Sequence, residues 1–144
     1  MIKFAFVNDS TNYPEYIITP SEDTLYTDGT SYSGYTARAI DINTVDDTFL
    51  SSQYWNAAVF ATRPASPVSL NTSTITANGV SSCTFSGVQN PSTVTVITPN
   101  EVDPIAPFTV TDGVLTVTST IPSDNYFTIS HFPNLDFTAT ITAS

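Results

Sequence analysis

The sequence contains few charged residues and very few positive ones. Of its 144 residues 11% are charged, and 13 Asp and Glu against 3 Lys and Arg give a formal net charge of -10. The permanent cations are Lys3, Arg38 and Arg63. Scattered cations of this number cannot neutralise a run of phosphates by counterion release. Nucleic acid and anionic membrane surfaces are therefore not expected as partners.

Paired cysteines and long apolar runs are also missing from the sequence. Cys83 is the single cysteine, so no disulfide can form within the chain, whereas small exported β domains often depend on disulfides. No run approaches the roughly 18 apolar residues that a membrane-spanning helix needs. The apolar stretch at residues 4–7 is too short for the core of a signal peptide. We therefore expect a protein that is made in the cytoplasm and does not span a membrane.

Apolar residues alternate with threonine in the carboxy-terminal part. Period-two alternation is typical of half-buried antiparallel strands, and threonine suits their solvent face because its branched Cβ favours extended backbone. The spacing predicts about seven short strands between residues 68 and 142, as in an immunoglobulin-like sandwich. Cys83 alternates with Phe85, which predicts a buried, inert thiol. The apolar members of the later runs are Val94 and Val96, Phe108 and Val110, Leu115 and Val117, Phe127 and Ile129, and Phe137, Ala139 and Ile141.

Turn signals separate these runs. In "VTDGVL", Asp112 and Gly113 stand between two alternating segments, and Asp-Gly at such a place predicts a two-residue hairpin in which both residues have positive φ. The segment at residues 97–110 is longer and more acidic than a short turn. It is either a contact loop or a tolerated insertion.

The amino-terminal part has a different composition and is rich in tyrosine. "IKFAFV" and "EYIIT" predict a hairpin, and "GYTARAIDI" predicts a further strand. "TVDDTFLSSQYW" is the helix candidate, with Thr44 as its cap and Asp46 and Asp47 in the first turn. Prolines at 64 and 67 fix φ and remove hydrogen-bond donors. We therefore predict an all-β protein with a β-rich region at 1–62, a joint at 63–67 and a sandwich at 68–144.

The residues that could carry chemistry favour structural roles. His131 lies beside Ser130 with Asp136 nearby, but strand neighbours point to opposite faces and no nucleophile elbow is present. "DINTVDD", residues 41–47, resembles the start of a calcium loop, yet the turn glycine is missing and Ser52 stands at the position of the bidentate Glu. A glycosidase with paired carboxylates stays an alternative, although such enzymes usually have larger scaffolds. We expect no enzymatic activity, no cofactor and no metal.

The aromatic cluster of the amino-terminal part is the stronger candidate for function. Tyrosine and tryptophan bury large areas and keep a polar group, so they are common in protein interfaces and also stack on sugars. Three interpretations stay open, namely a small core, a protein interface and a carbohydrate platform. Arg38 and Arg63 are the expected polar anchors of an interface, since cations are scarce on an acidic chain. The predicted interface residues are Tyr32, Tyr35, Arg38, Tyr54, Trp55 and Arg63.

Several stretches carry a family resemblance. "RPASPVSLNTSTITANGVSSCTFSGVQNPSTVTV", "FTVTDGVLTVTST" and "FTISHFPNLDFTATITAS" are similar to the immunoglobulin-like carboxy-terminal domain of small virion proteins of tailed bacteriophages. In that family a short β-rich region ends in an Arg-Pro-x-x-Pro joint, as at residues 63–67. "TITANGVSS" also resembles the start of bacterial invasin-type immunoglobulin-like repeats. The resemblance covers residues 63–144, and the longer segment at 97–110 departs from it.

The resemblance implies a structural role in a virion. It implies a non-enzymatic tail-associated adaptor or fibre component, or a capsid decoration protein, that is assembled in the host cytoplasm with other virion proteins. We expect residues 1–62 to form most subunit contacts, in a homo-oligomer or on another virion protein, because a region that small leaves its aromatic side chains incompletely buried. The alternative is a carbohydrate-binding module that recognises glycans of the host surface. Aromatic rings exposed in a row on one sheet face would favour this alternative.

Overall fold

The computed structural model describes residues 2–20, 26–41, 43–99 and 105–144. The protein is all-β apart from one short helix in these residues. Backbone contacts divide the chain into two compact units, Met1–Arg63 and Pro64–Ser144, which we call the amino-terminal and carboxy-terminal units. In the described part of the chain, no helix is long and apolar enough to cross a membrane.

A four-stranded antiparallel sheet forms the centre of the amino-terminal unit. The strands are β1 (Lys3–Asn8), β2 (Pro14–Ile18), β3 (Ser31–Tyr32) and β4 (Tyr35–Ile40), in the order β2-β1-β4-β3. The predicted β1–β2 hairpin and the predicted strand at β4 are both confirmed. Phe6 and Val7 of β1 are only 2% exposed, although they point to opposite faces. Both faces of this sheet are therefore covered at its centre.

One helix and one two-stranded ribbon complete the amino-terminal unit. The helix α1 spans Asp46–Ser52 and is followed by β5 (Gln53–Asn56) and β6 (Val59–Thr62), which pair antiparallel. The predicted cap at Thr44 is wrong, since Val45 occupies the N-cap position and no side chain caps the helix. The ammonium group of Lys3 instead donates to the Thr44 carbonyl oxygen at 3.0 Å and to Asp46 Oδ1 at 2.8 Å. The helix also ends earlier than the predicted segment, because the residues after Ser52 pair with β6.

Two sheets form the carboxy-terminal unit. Its strands are β7 (Ser69–Leu70), β8 (Thr74–Ile75), β9 (Ser82–Ser86), β10 (Ser92–Ile97), β11 (Phe108–Val110), β12 (Val114–Thr118), β13 (Ser123–Ser130) and β14 (Phe137–Ala143). One sheet has the order β11-β10-β13-β14-β8 and the other the order β12-β9-β7. All pairs are antiparallel except β14 with β8.

The inner faces of the two sheets share one hydrophobic core. Phe85 of β9 is fully buried and packs on Phe127 of β13, with ring centroids 5.2 Å apart. The predicted alternation is confirmed for most strands, and Cys83 is buried and free as predicted. Phe108 was expected on the core face but is 36% exposed, because it begins a three-residue strand at the edge of its sheet.

The predicted hairpin at Asp112 and Gly113 is wrong. β11 and β12 belong to different sheets, so this turn carries the chain from one sheet to the other. Gly113 has φ +83°, whereas positive φ outside glycine occurs only at Asn12, Ser33 and Ala57 in the described residues. Because a hairpin turn of the predicted type needs positive φ at both central residues, Asp112 excludes it. The Gly113 carbonyl oxygen accepts a hydrogen bond from the amide of Val88 at 3.1 Å.

The proline-containing segment after Arg63 is part of the carboxy-terminal unit. The Pro64 carbonyl oxygen accepts from the amide of Leu135 at 2.8 Å, and the Ala65 carbonyl oxygen accepts from the side chain of Asn134 at 2.9 Å. Gly87 lies against Pro67, where a Cβ atom would come within 2.6 Å of the Pro67 carbonyl oxygen. These contacts fix the start of the unit. The segment at 97–110, expected to be either a contact loop or a tolerated insertion, lies partly outside the described residues.

Candidate functional site

The strand register gathers tyrosines on one face of the amino-terminal sheet. Phe6 on β1 lies opposite Tyr16 on β2 and Ala37 on β4, and Tyr32 on β3 lies opposite Tyr35 on β4. Residues that lie directly opposite each other in a sheet share a face. We call the face that carries Phe6, Tyr16, Tyr32 and Tyr35 the tyrosine face.

The rings of the tyrosine face form a layer that is buried at its base and open at its surface. Tyr16 stacks on Phe6 with centroids 4.8 Å apart and planes 9° apart. Tyr35 meets Tyr16 at 5.2 Å and 63°, and Tyr26 meets Tyr32 at 5.5 Å and 83°. Phe6 is 2% exposed, whereas Tyr16 is 38% exposed. The layer therefore presents half-exposed tyrosine side chains to whatever lies above it.

A polar group borders the tyrosine face. The Tyr35 hydroxyl donates to Glu15 Oε2 at 2.7 Å, and Asn8 Nδ2 donates to Glu15 Oε1 at 2.8 Å. This bond to a carboxylate raises the pKa of Tyr35, because Glu15 accepts from the protonated phenol and repels the phenolate. The hydroxyl is thus held in its neutral, hydrogen-bonding form.

Arg38 and Trp55 meet on the opposite face of the sheet. Arg38 pairs with Ala5 in the β1–β4 register, and its guanidinium carbon lies 4.1 Å from the centroid of the Trp55 ring. Trp55 in turn meets Phe60 edge to face at 5.0 Å. The Nε atom of Arg38 is buried and has no hydrogen-bond partner among the described residues. The guanidinium is therefore held in place by stacking, while part of its hydrogen-bonding capacity is unused.

Arg63 makes a separate cation–π contact. Its guanidinium carbon lies 4.6 Å from the centroid of the Tyr13 ring, and its Nη1 donates to the Ser51 carbonyl oxygen at 3.4 Å. Tyr54 neighbours Trp55 on β5 and pairs with Ala61, so its side chain points to the other face of the ribbon. The predicted interface residues are thus brought together in small groups rather than in one cluster.

Tyr16 is not among the interface residues predicted from the sequence. It is nevertheless the most exposed ring of the tyrosine face, at 38%. The predicted hairpin could have indicated this position for Tyr16. When "IKFAFV" pairs with "EYIIT" in the observed register, Tyr16 lies beside Phe6. The register itself depends on an irregularity between Phe6 and Val7. Alternation within one strand does not reveal such an irregularity.

The other candidate residues have structural surroundings. His131 follows β13, and its Nδ1 lies 2.6 Å from the Pro91 carbonyl oxygen, to which it donates. Asp41 Oδ1 accepts from the backbone and side-chain nitrogens of Asn43, and Asp46 pairs with Lys3. Cys83 is enclosed in the core, and burial raises the pKa of its thiol. Within the described residues, no three His, Cys, Asp or Glu side chains are grouped so that they could hold a metal ion.

Comparisons with protein families, with curated proteins and with solved structures found no match to this chain.

Proposed function

We propose that this protein is a non-enzymatic structural protein of a tailed-bacteriophage virion, either a tail-associated adaptor or fibre component or a capsid decoration protein. It docks on other virion proteins through the amino-terminal unit and projects the carboxy-terminal unit. The virion assignment depends on the resemblance of residues 63–144. The docking assignment depends on the half-exposed tyrosine face.

The tyrosine face has the properties of a protein contact surface. Tyrosines with buried bases and open edges bring large area at little cost in side-chain entropy, and a hydroxyl such as that of Tyr35 supplies a polar bond at the rim. On the opposite face of the same sheet, the Arg38–Trp55 pair offers a second contact point with a cation on an acidic chain. Arginine and tryptophan are enriched among the residues that dominate binding energy.

The strand order supports an immunoglobulin-like identity for the carboxy-terminal unit. In such domains strands A, B and E share one sheet and strands C, F and G the other. β7, β9 and β12 take the positions of A, B and E, and β10, β13 and β14 those of C, F and G. β11 pairs with β10, so no described strand takes the position of D beside β12.

The ring geometry favours protein docking over the carbohydrate alternative. A sugar platform presents flat ring faces in a row, whereas Tyr35 and Tyr32 stand at steep angles to their neighbours, 63° for Tyr16–Tyr35 and 83° for Tyr26–Tyr32. Tyr16 directs one ring face at Phe6. Glycan binding that is lost in a Tyr16→Ser variant, without any binding to particles, would favour the alternative instead.

The experiment is binding of the full-length protein to purified particles that lack it, followed by co-sedimentation and by immunogold electron microscopy. We expect Tyr16→Ser to weaken binding by about 5–30-fold, the usual effect of truncating an interface tyrosine worth about 1–2 kcal/mol. The matched control is Tyr126→Ser, since Tyr126 is a similarly exposed tyrosine on the carboxy-terminal unit, at 45% against 38% for Tyr16. Equal losses in the two variants, or absence of the protein from wild-type particles, would refute the proposal.

A further inference from the structure

Among the described residues, one edge of β12 is not paired with another strand, and we call it the free edge. In the described residues β12 pairs only with β9, and Thr116 lies directly opposite Thr84. The backbone of Thr84 is directed away from β12, because its carbonyl oxygen accepts from the Asn71 amide at 3.2 Å and its amide donates to Asn71 Oδ1 at 2.7 Å. Thr116 and Thr84 are therefore a non-hydrogen-bonded pair, in which the amide and carbonyl of Thr116 point to the free edge. The same alternation directs the backbone of Thr118 outward.

Nothing in the sequence of β12 protects this edge. Natural sheets guard exposed edges with lysine, proline, bulges or a covering segment. The strand reads VLTVT, without a charge or a proline, and its register with β9 runs from Val114 to Thr118 without a shift. Valine and threonine also favour extended backbone. The edge is thus flat, regular and suited to accept another strand.

An apolar groove of about 800 Å³ lies beside the free edge. Leu115 and Val117 of β12 line it, together with Ile105, Phe108 and Ile121. The last three side chains are exposed, Ile121 by 65%. The described residues that line the groove carry no charge. An added strand would therefore bring its apolar side chains against the uncharged described residues of this groove.

We propose that β12 pairs antiparallel with β12 of a second copy of this chain, about a twofold axis at Thr116. In this register Val114 lies opposite Thr118 of the second copy, and Leu115 lies opposite Val117, so that apolar side chains of both copies meet at the groove. Asp112 lies opposite Thr120 of the second copy, and within the paired segment 112–120 no two carboxylates face each other across the axis. The contact is isologous and closes at two copies. It joins the two three-stranded sheets into one continuous sheet.

Disulfide trapping of the full-length protein tests this pairing. In a Cys83→Ala background, Thr116→Cys places one thiol of each copy next to the twofold axis. The two cysteines would form a hydrogen-bonded pair with Cα atoms about 5.5 Å apart, which is within disulfide range. We expect Thr116→Cys to form dimers under mild oxidation at least about tenfold faster than the control Thr93→Cys, since only paired edges hold the thiols within this range. Thr93 is exposed but lies on β10, which is paired on both sides.

A charge pair tests the register. Adding Val114→Asp and Thr118→Asp to the trapping variant opposes two carboxylates at each end of the pairing and should abolish the excess of dimer over the control. Val114→Lys with Thr118→Asp opposes unlike charges and should restore it. Circular dichroism and unfolding midpoints identify any variant that fails to fold. If the aspartate–aspartate variant does not fold, the excess of dimer in the lysine–aspartate variant over the control tests the register.

Either of two trapping results would overturn the proposal. One is dimer formation by Thr116→Cys at the rate of Thr93→Cys, which would leave the edge to a strand of another protein. The other is trapping that is equally fast in the aspartate–aspartate and the lysine–aspartate variants, which would exclude a pairing centred on Thr116. Wild-type protein should also sediment increasingly as a dimer when salt is raised from about 0.02 M to about 0.5 M, because salt screens the repulsion between two acidic copies. A dimer that weakens with salt would contradict a contact made between uncharged edges.

Discussion

Arg38 should matter more for binding than for folding, and Arg38→Met separates the two roles. Methionine keeps much of the apolar stem that packs on the sheet. The substitution removes the stacking of the guanidinium on Trp55, 4.1 Å away, which contributes about 1–2 kcal/mol at a partly desolvated site. It also removes a buried Nε donor that has no partner in the described part of the chain, and the desolvation of such a donor costs about 1–3 kcal/mol. The two effects offset each other, so the free energy of unfolding should change by less than about 1 kcal/mol.

Lys3→Met is the contrasting variant for the unfolding experiment. The ammonium group of Lys3 has two partners, Asp46 Oδ1 at 2.8 Å and the Thr44 carbonyl oxygen at 3.0 Å. The side chain is largely buried. Lys3→Met removes both contacts to the start of α1, so the free energy of unfolding should fall by about 1 kcal/mol. Urea unfolding of both variants measures the two changes on one scale.

For binding to particles, Arg38→Met should have the larger effect of the two variants. An interface arginine typically contributes about 2 kcal/mol or more, so Arg38→Met should weaken binding by about 30-fold while Lys3→Met has little effect. A loss of more than about 2 kcal/mol of unfolding free energy in Arg38→Met, with unchanged binding, would refute the reasoning. Arg38 would then be a structural residue of the amino-terminal unit.

Three further outcomes can be checked on the purified protein. Cys83 should react with a thiol reagent only after unfolding, because its side chain is fully buried and burial raises its pKa; fast labelling of native protein would contradict the core assignment. The hydrogen bond from Tyr35 to Glu15 should stabilise the fold below the ordinary tyrosine pKa of about 10, and this stabilisation should be lost as pH rises through the raised pKa of the folded state. In urea unfolding, the stability difference between wild type and Tyr35→Phe should therefore shrink between about pH 9 and pH 12. Gly87→Ala should cost more unfolding free energy than Gly113→Ala although both positions have positive φ, because the new Cβ would lie 2.6 Å from the Pro67 carbonyl oxygen at Gly87 but 3.8 Å from the Val88 carbonyl oxygen at Gly113. Equal costs would show that the chain relaxes around Gly87.

Alternation was enough to predict most strands of the carboxy-terminal unit but not their partners. Cys83 and Phe85 could be assigned to the core because every second residue of a strand shares a face. The same pattern holds whichever sheet a strand joins, so alternation around Asp112–Gly113 predicts a hairpin although this turn connects two sheets. Phe108 shows the related problem that alternation does not reveal a sheet edge.

In the amino-terminal unit, composition predicted the aromatic cluster but not how it divides. Tyr32 and Tyr35 belong to the tyrosine face, whereas Trp55 stacks with Arg38 on the opposite side of the sheet. That division follows from the register of β1 with β2 and β4, which includes an irregularity after Phe6. A register is fixed by tertiary packing, so residue counts along the chain cannot supply it.

The scarcity of charge and the free edge of β12 have one physical origin. The outer sheet faces of the carboxy-terminal unit are covered by threonine, which is solvated without carrying charge, and residues 64–144 contain no lysine that could guard an edge. The acidic side chains still give each copy a net charge of -10, which keeps copies apart in dilute solution at low salt. A contact of five residues therefore needs either screening or a high local concentration, and neighbouring copies docked on one particle would have the latter. On this argument, β12 trapping should be faster on particles than in free solution at the same total protein concentration, and equal rates would show that docking does not bring the edges together.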